Sequence, residues 1–214
     1  MTSTTVSTPI DGEPRPYNHD DPRADLQLAV VLGSRRPGGK GRSVADWIIA
    51  NTESRGPRYK LVDLADHPLP HVGEPQPGSS GRQVQAVQQR WSATIASYDG
   101  FVIVSPEHNH SIPGVLKTAL DSLYQEWNNK AAALVTYGGA AGGARAGEHL
   151  RGTLSELQVA HVRQQLLFSA FHDFPDHRFQ PSASHEQALF TMLDQLEAWT
   201  GALKPLRTQE RHTT

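Results

Sequence analysis

The stretch Gly100-Phe101-Val102-Ile103-Val104-Ser105-Pro106-Glu107-His108-Asn109-His110-Ser111-Ile112-Pro113-Gly114 decides how the chain is read. It opens on an apolar run, Gly100–Val104, continues through residues rich in Pro, Gly and side-chain hydrogen bonders, and leads into Val115, Leu116, Ala119, Leu120 and Leu123 at helical spacing. A buried strand, a loop and a helix follow from that order. Unbroken hydrophobicity in a strand implies cover on both faces, as in a parallel sheet. Ligands of such sheets sit outside the carboxyl ends of the strands, where this loop lies. Pro113 fits the first helical turn, with Ser111 just before it as a cap.

The same texture recurs on either side. Leu26–Leu32 is a strand ending at Gly33-Ser34, the polar segment Arg35–Arg42 is a loop, and Val44, Ala45, Trp47, Ile48 and Ile49 mark a helix stopped by Arg55-Gly56-Pro57. Tyr59–Leu64 is a second strand, His67–Gly81 a long Pro/Gly/Ser-rich connection, and Gln83–Ser97 a second helix. Beyond the opening stretch come strand Ala131–Thr136, the loop Tyr137–Gly143, helix Gly147–Leu157, strand Val159–Phe168 and helix His185–Trp199. Five strands alternating with five helices predict an α/β fold with helices on both faces of a parallel sheet. Five strands favour a flavodoxin-like three-layer sandwich with strand order 2-1-3-4-5.

The chain has 214 residues and a mass of 23.4 kDa, which suits one domain. We expect it over 26–203, with a polar N-terminal tail over 1–25, either flexible or an arm over a partner subunit, and a polar C-terminal tail over 204–214. The net charge of −2 gives nucleic acid and anionic membrane no general attraction, so neither is expected as a partner. No apolar stretch approaches the roughly 20 residues of a membrane span. There is no cysteine, which removes disulfides, thiol nucleophiles and thiolate metal sites together, and a cytoplasmic setting is compatible with this.

Three loops share the end of the sheet where ligands bind. The first, Gly33–Ser43, joins a strand to a helix N-terminus and offers Ser34, Ser43, Arg36 and Arg42 to an anion; a solvated basic turn is the plainer alternative. Neither the Walker pattern nor the dinucleotide fingerprint fits it. The second offers Asn109, Ser111 and backbone groups to a flat heteroaromatic ring. His108 and His110 attract a metal or acid–base reading, but no further ligands are signalled elsewhere, and no metal site is expected. In the third, four glycines between Tyr137 and Arg145 would let a backbone approach a ligand closely; a flexible turn is the alternative.

Together these loops resemble the NAD(P)H-dependent FMN reductase family, a flavodoxin-like group that includes quinone, azo-dye and chromate reductases. Three regions carry the resemblance. They are Gly33-Ser34-Arg35-Arg36-Pro37-Gly38 with Gly41 and Val44–Trp47, the run Ser105–Asp121, and Trp127–Lys130 with Tyr137-Gly138-Gly139, Gly142-Gly143, Arg145-Ala146 and Leu150-Arg151. The resemblance implies that Ser34, Arg36, Gly41, Arg42 and Ser43 hold an FMN phosphate. Pro106, Glu107, His108, Asn109 and Ser111 would line the isoalloxazine, with Tyr137, Gly138 and Gly139 at its pyrimidine end. One departure stands out: the family usually has Tyr where this chain has His108, a smaller and titratable wall.

The resemblance further implies hydride transfer from NADPH or NADH through flavin N5 to free flavin or a quinone-like acceptor, with no catalytic side chain. Reduced flavin could also supply a partner monooxygenase. Arg35 and Lys40 either favour NADPH through its extra phosphate or, the plainer reading, make only a general electrostatic contribution. A homodimer or homotetramer is expected, with Leu120–Trp127 as the candidate contact. An FMN electron carrier without pyridine-nucleotide activity, or a cofactor-less flavodoxin-like binding module, is the alternative.

Overall fold

The computed structural model describes residues 23–71 and 81–210. The tail expected over 1–25 lies outside these residues apart from 23–25, as do 72–80 of the long connection and 211–214. Ten main elements follow in strict alternation: β1 Gln27–Leu32, α1 Lys40–Ala50, β2 Arg58–Asp63, α2 Gly81–Ala96, β3 Gly100–Pro106, α3 Gly114–Asp121, β4 Lys130–Gly138, α4 Ala144–Glu156, β5 Val159–Ser169 and α5 Ala183–Glu210. The strands form one parallel sheet in the order β2-β1-β3-β4-β5, the flavodoxin-like arrangement expected from the alternation.

Strand periodicity divides the core in two. Leu28 and Val30 of β1, Val102 and Val104 of β3, and Ala133 and Val135 of β4 face a cluster closed by α1 and α5. Their neighbours Ala29, Val31, Phe101, Ile103, Ala132 and Leu134 face a second cluster closed by α2, α3 and α4. Alternate side chains of one strand point to opposite faces, so a strand buried on both must be apolar throughout. The central stretches 28–32 of β1, 101–104 of β3 and 131–135 of β4 meet that requirement, with the buried polar residues Ser105, Lys130 and Thr136 at or near the strand ends, whereas the edge strand β2 alternates between exposed and covered positions.

The boundaries differ from the sequence expectation mostly at the ligand end. β3 and β4 run on through Pro106 and Gly138, pairing Ser105 with Thr136 and Pro106 with Tyr137. Helix α1 begins at Lys40, so Lys40–Ser43 form its first turn, not the end of a loop. Pro113 is the N-cap of α3 and Ser111 does not cap it; the Ser111 hydroxyl lies 3.0 Å from His149 Nδ1 instead.

Helix α5 takes in 204–210, which composition had assigned to a polar tail. Its last turns carry cations that meet Asp99: Lys204 Nζ at 2.9 Å and an Arg207 guanidinium nitrogen at 2.6 Å. Within Leu120–Trp127, the expected subunit contact, Leu120 and Trp127 are core residues, and Trp127 stacks edge-on against Phe101. Tyr124, half exposed, is the large apolar side chain of that segment left at the surface.

Candidate functional site

The carboxyl ends of β1, β3, β4 and β5 surround a cleft of about 850 Å³, with an adjoining hollow of about 270 Å³ beneath the first loop. Of the residues singled out in the sequence, Ser34, Arg36, Arg42 and Ser43 reach the cleft from the first loop and α1, and Pro106, Glu107 and His108 from the second loop. Tyr137, Gly138 and Gly139 close it from the end of β4, and Gly41 lines the hollow. Asn109 and Ser111 line neither. Asn109 forms part of a turn, and Ser111 faces a separate groove of about 630 Å³ between α3 and α4.

At α1 the local chemistry favours an anion. The N-cap is Gly39, no side chain caps the helix, and no acidic residue stands in its first turn. The first N–H groups of a helix have no intrahelical partner and carry the positive end of its dipole. The basic residues beside them are not equivalent. Arg42 Nε is bound to Asp46 at 2.8 Å, a hydrogen bond and charge that raise the guanidinium pKa further, while none of the described carboxylates pairs with Arg36. Lys40 lies over the Phe174 ring at 4.5 Å. The Ser43 hydroxyl donates to Lys40 O at 2.8 Å, and the Ser34 hydroxyl accepts from Arg36 N at 3.3 Å.

Tyr137 reaches this first loop from β4. A Cβ on Gly41 would stand 2.6 Å from the Tyr137 hydroxyl and 2.8 Å from Leu32 Cδ1, so only glycine fits between them. Burial raises the phenol pKa, against hydrogen bonding from Gly41 and Ser34 and the charge of Arg36. Tyr137 is therefore a floor joining the two cavities and lies near the loop at α1.

In the second loop His108 and Ser111 exchange N–H···O bonds of 2.9 and 3.0 Å, and Asn109 and His110 between them have φ of 50° and 68°. Positive φ at both central positions is the geometry of a type I′ turn, which Asn tolerates well. His108 and His110 are exposed, and among the described residues no three His, Asp or Glu side chains assemble into a metal-binding group. The Glu107 carboxylate points to α4, where it accepts from Arg145 N at 3.1 Å and Arg145 Nη1 at 2.8 Å. Burial pushes its pKa up, but the hydrogen bonds from the Arg145 side chain and from the N–H groups of Ala146 and Arg145 prevail and hold it below the usual carboxylate range.

The sequence reading missed a fourth wall. Ala170 and His177, beyond β5, also line the cleft, and Ala170 N donates to Gly138 O at 2.6 Å. Phe171, 71% exposed, stands beside Gly139 on a turn braced by Asp173, whose carboxylate accepts from Ser169 N. The signal was available: any segment leaving the carboxyl end of a strand next to the crevice is a candidate wall.

The chain is similar to known flavoenzymes. The family model described as NADPH-dependent FMN reductase matches residues 26–173. The chain is 38% identical over 140 residues to an NAD(P)H-dependent FMN reductase of Schizosaccharomyces pombe, covering 63% of this chain and 69% of that protein. It is 32% identical over 149 residues to a 2-hydroxy-1,4-benzoquinone reductase of a Burkholderia species, covering 67% and 78% respectively. Among solved structures, the flavoenzyme NAD(P)H:(acceptor) oxidoreductase FerB of Paracoccus denitrificans superposes with a TM-score of 0.64 at 21% identity, over 82% of this chain and 97% of that one. That likeness concerns the fold.

Proposed function

The chain belongs to the NADPH-dependent FMN reductase family, and from that premise we propose that it binds FMN in the cleft and oxidises NADPH or NADH to reduce quinone-like compounds or free flavin. One observation carries the placement. A single cleft joins an uncapped helix N-terminus and Arg36, which pairs with none of the described carboxylates, to a glycine-walled slot at the ends of β3 and β4. An anionic phosphate and a flat ring, held together in one molecule, match those two environments.

The residues present fit the cofactor. The N–H groups at the start of α1, the Ser34 and Ser43 hydroxyls and the Arg36 guanidinium would hold the phosphate, with Arg42 contributing donors not used by Asp46. Gly41, which has no side chain, lets the first turn of α1 pack directly on the Tyr137 hydroxyl and Leu32 beneath the cradle. Pro106 and His108 on one side and Gly138 and Gly139 on the other would flank the ring. Asn109 and Ser111, outside the cleft, would act through the turn they form with His108. When bound, FMN supplies the hydride chemistry, accepting from the nicotinamide and donating to the acceptor. The protein's part is to orient the partners and exclude water, and N–H groups after β4 would stabilise negative charge on the reduced ring.

Within that reading, a quinone-like acceptor is supported by the benzoquinone reductase relative. Supply of reduced flavin to a monooxygenase is the other use of the same chemistry. A homodimer or homotetramer accords with the exposed Tyr124, Phe171 and Trp199. Among the described residues no helix is long and apolar enough to cross a membrane, and we place the protein in the cytoplasm, where reduced pyridine nucleotides are made.

Anaerobic mixing of the FMN-loaded protein with NADPH tests the activity: loss of the oxidised-flavin absorbance is expected. An unchanged spectrum would make the protein an electron carrier, and failure to quench the fluorescence of added FMN would make it a binding module. Steady-state turnover against FMN, FAD and a benzoquinone then separates the acceptors. A preference for quinone by orders of magnitude would end the flavin-supply version.

A further inference from the structure

Glu107 forms part of the cleft wall, yet its carboxylate is committed elsewhere. Three donors from α4 converge on it: Arg145 N at 3.1 Å, Ala146 N at 3.4 Å and Arg145 Nη1 at 2.8 Å. Helix α4 supplies no side-chain cap of its own, because its N-cap is Gly143 in the left-handed region at φ 86°. Its free N–H groups are satisfied instead by a carboxylate 38 residues earlier in the chain. An anion there is stabilised by the N–H groups and by the helix dipole together. The Glu107 side chain is 10% exposed and that of Arg145 48%, so the ion pair is anchored at its carboxylate end.

The rest of Glu107 is fastened as firmly. Its N–H donates to Tyr137 O at 2.8 Å, and a Cβ on Gly138 would lie 3.1 Å from the Glu107 Cβ and 3.0 Å from Gly143 N. The loop after β3 and the loop after β4 are thus clamped at one residue, on both sides of the glycines Gly138 and Gly139. Directly after the clamp comes the doubly bonded His108–Ser111 turn. Motion at Glu107 would therefore carry His108 with it.

We propose that Glu107 is a positioning residue, whose carboxylate, held by Arg145 and the N-terminus of α4, fixes the spacing of the two loops that flank the FMN ring. Its carboxylate acts through the two loops and not as a ligand, because its bonds go to α4. The inference rests on the FMN reading of the cleft, and its test separates the two.

The test is a double-mutant cycle of Glu107→Ala and Arg145→Ala, read as the dissociation constant of FMN by fluorescence quenching. Glu107→Ala should weaken FMN binding by about tenfold or more, Arg145→Ala less but in the same direction, and the double variant no further than Glu107→Ala. A harmless Arg145→Ala with additive effects would make the carboxylate a direct ligand and overturn the proposal. So would a Glu107→Ala protein that melts earlier but keeps the wild-type dissociation constant, since Glu107 would then be a helix cap and nothing more.

Amide exchange in FMN-free protein gives a readout that does not depend on the cofactor. In Glu107→Ala, residues 107–111 and 138–146 should lose protection together. Acceleration confined to Arg145 and Ala146 would refute the clamp. Wild-type protein that fails to bind FMN would overturn the cofactor reading and leave this arm decisive. Should Glu107→Ala not fold, Arg145→Ala, at a half-exposed side chain, carries the exchange experiment in its place.

Discussion

Arg36 and Arg42 read as interchangeable phosphate ligands in the sequence, and the structure separates them. Asp46 already balances Arg42, while Arg36 meets none of the described carboxylates. Arg36→Ala should weaken FMN binding by roughly 1.5–3 kcal/mol, the range for a hydrogen bond to a charged group, and Arg42→Ala by less. Equal losses in a fluorescence titration would show that Asp46 releases Arg42 when the phosphate arrives. Gly41 makes a sharper case. Gly41→Ala places a methyl group 2.6 Å from the buried Tyr137 hydroxyl, so ring or helix must shift. The variant should fold but lose FMN affinity by about tenfold or more, and adding Tyr137→Phe should restore part of it. An alanine variant that binds as wild type would remove Gly41 from the cradle. His108→Tyr, which installs the usual family residue, should change acceptor preference more than FMN affinity; unchanged kcat/KM ratios across acceptors would exclude this position from acceptor selection.

Among the elements, α5 shows how a surface helix is tied down where its apolar stripe alone would not define its ends. Near the middle, Arg55, between α1 and β2, donates to Glu197 through Nε at 2.6 Å and Nη2 at 2.8 Å, and the Tyr59 hydroxyl adds a bond of 2.7 Å. Both members are buried, with side-chain exposures of 3% and 0%. Such a pair is no great source of stability in itself, but removing one member strands the other charge away from water. Arg55→Met should cost roughly 3–5 kcal/mol in urea unfolding, whereas the paired change Arg55→Met with Glu197→Leu should recover much of it. A loss below about 1 kcal/mol would mean that water reaches Glu197. At its C-terminal end Asp99 gathers Lys204, Arg207 and the N–H of Gln27, which explains why a stretch with the composition of a tail is helical.

For the molecule as a whole, a net charge of −2 coexists with a cleft rimmed by Arg35, Arg36 and Lys40, so the local field at the site differs from the average. Because NADPH carries one phosphate more than NADH, kcat/KM for NADPH should fall more steeply with ionic strength over the range where the Debye length shrinks to about 8 Å. Parallel salt dependences would mean that these cations do not distinguish the two donors. The architecture was legible in the sequence because the apolar runs 28–32, 101–104 and 131–135 suit strands covered on both faces, and strict alternation with helices leaves few topologies. Three of the loops around the cleft were legible too, since Gly, Pro and side-chain donors at strand ends have local causes. The pairing state of Arg42, the turning of Glu107 toward α4, the fit of Tyr137 beneath Gly41 and the wall at Ala170–His177 were not. The Arg42–Asp46 pair is local, four residues apart on α1, and needed only the helix to begin at Lys40; the other three depend on residues distant in the chain meeting at one end of the sheet, which composition and periodicity do not encode. The sequence by itself determined the sheet and its order; only the tertiary structure decided which groups from separate loops meet at its carboxyl end, as Glu107 meets Arg145, because that is a matter of distance across elements.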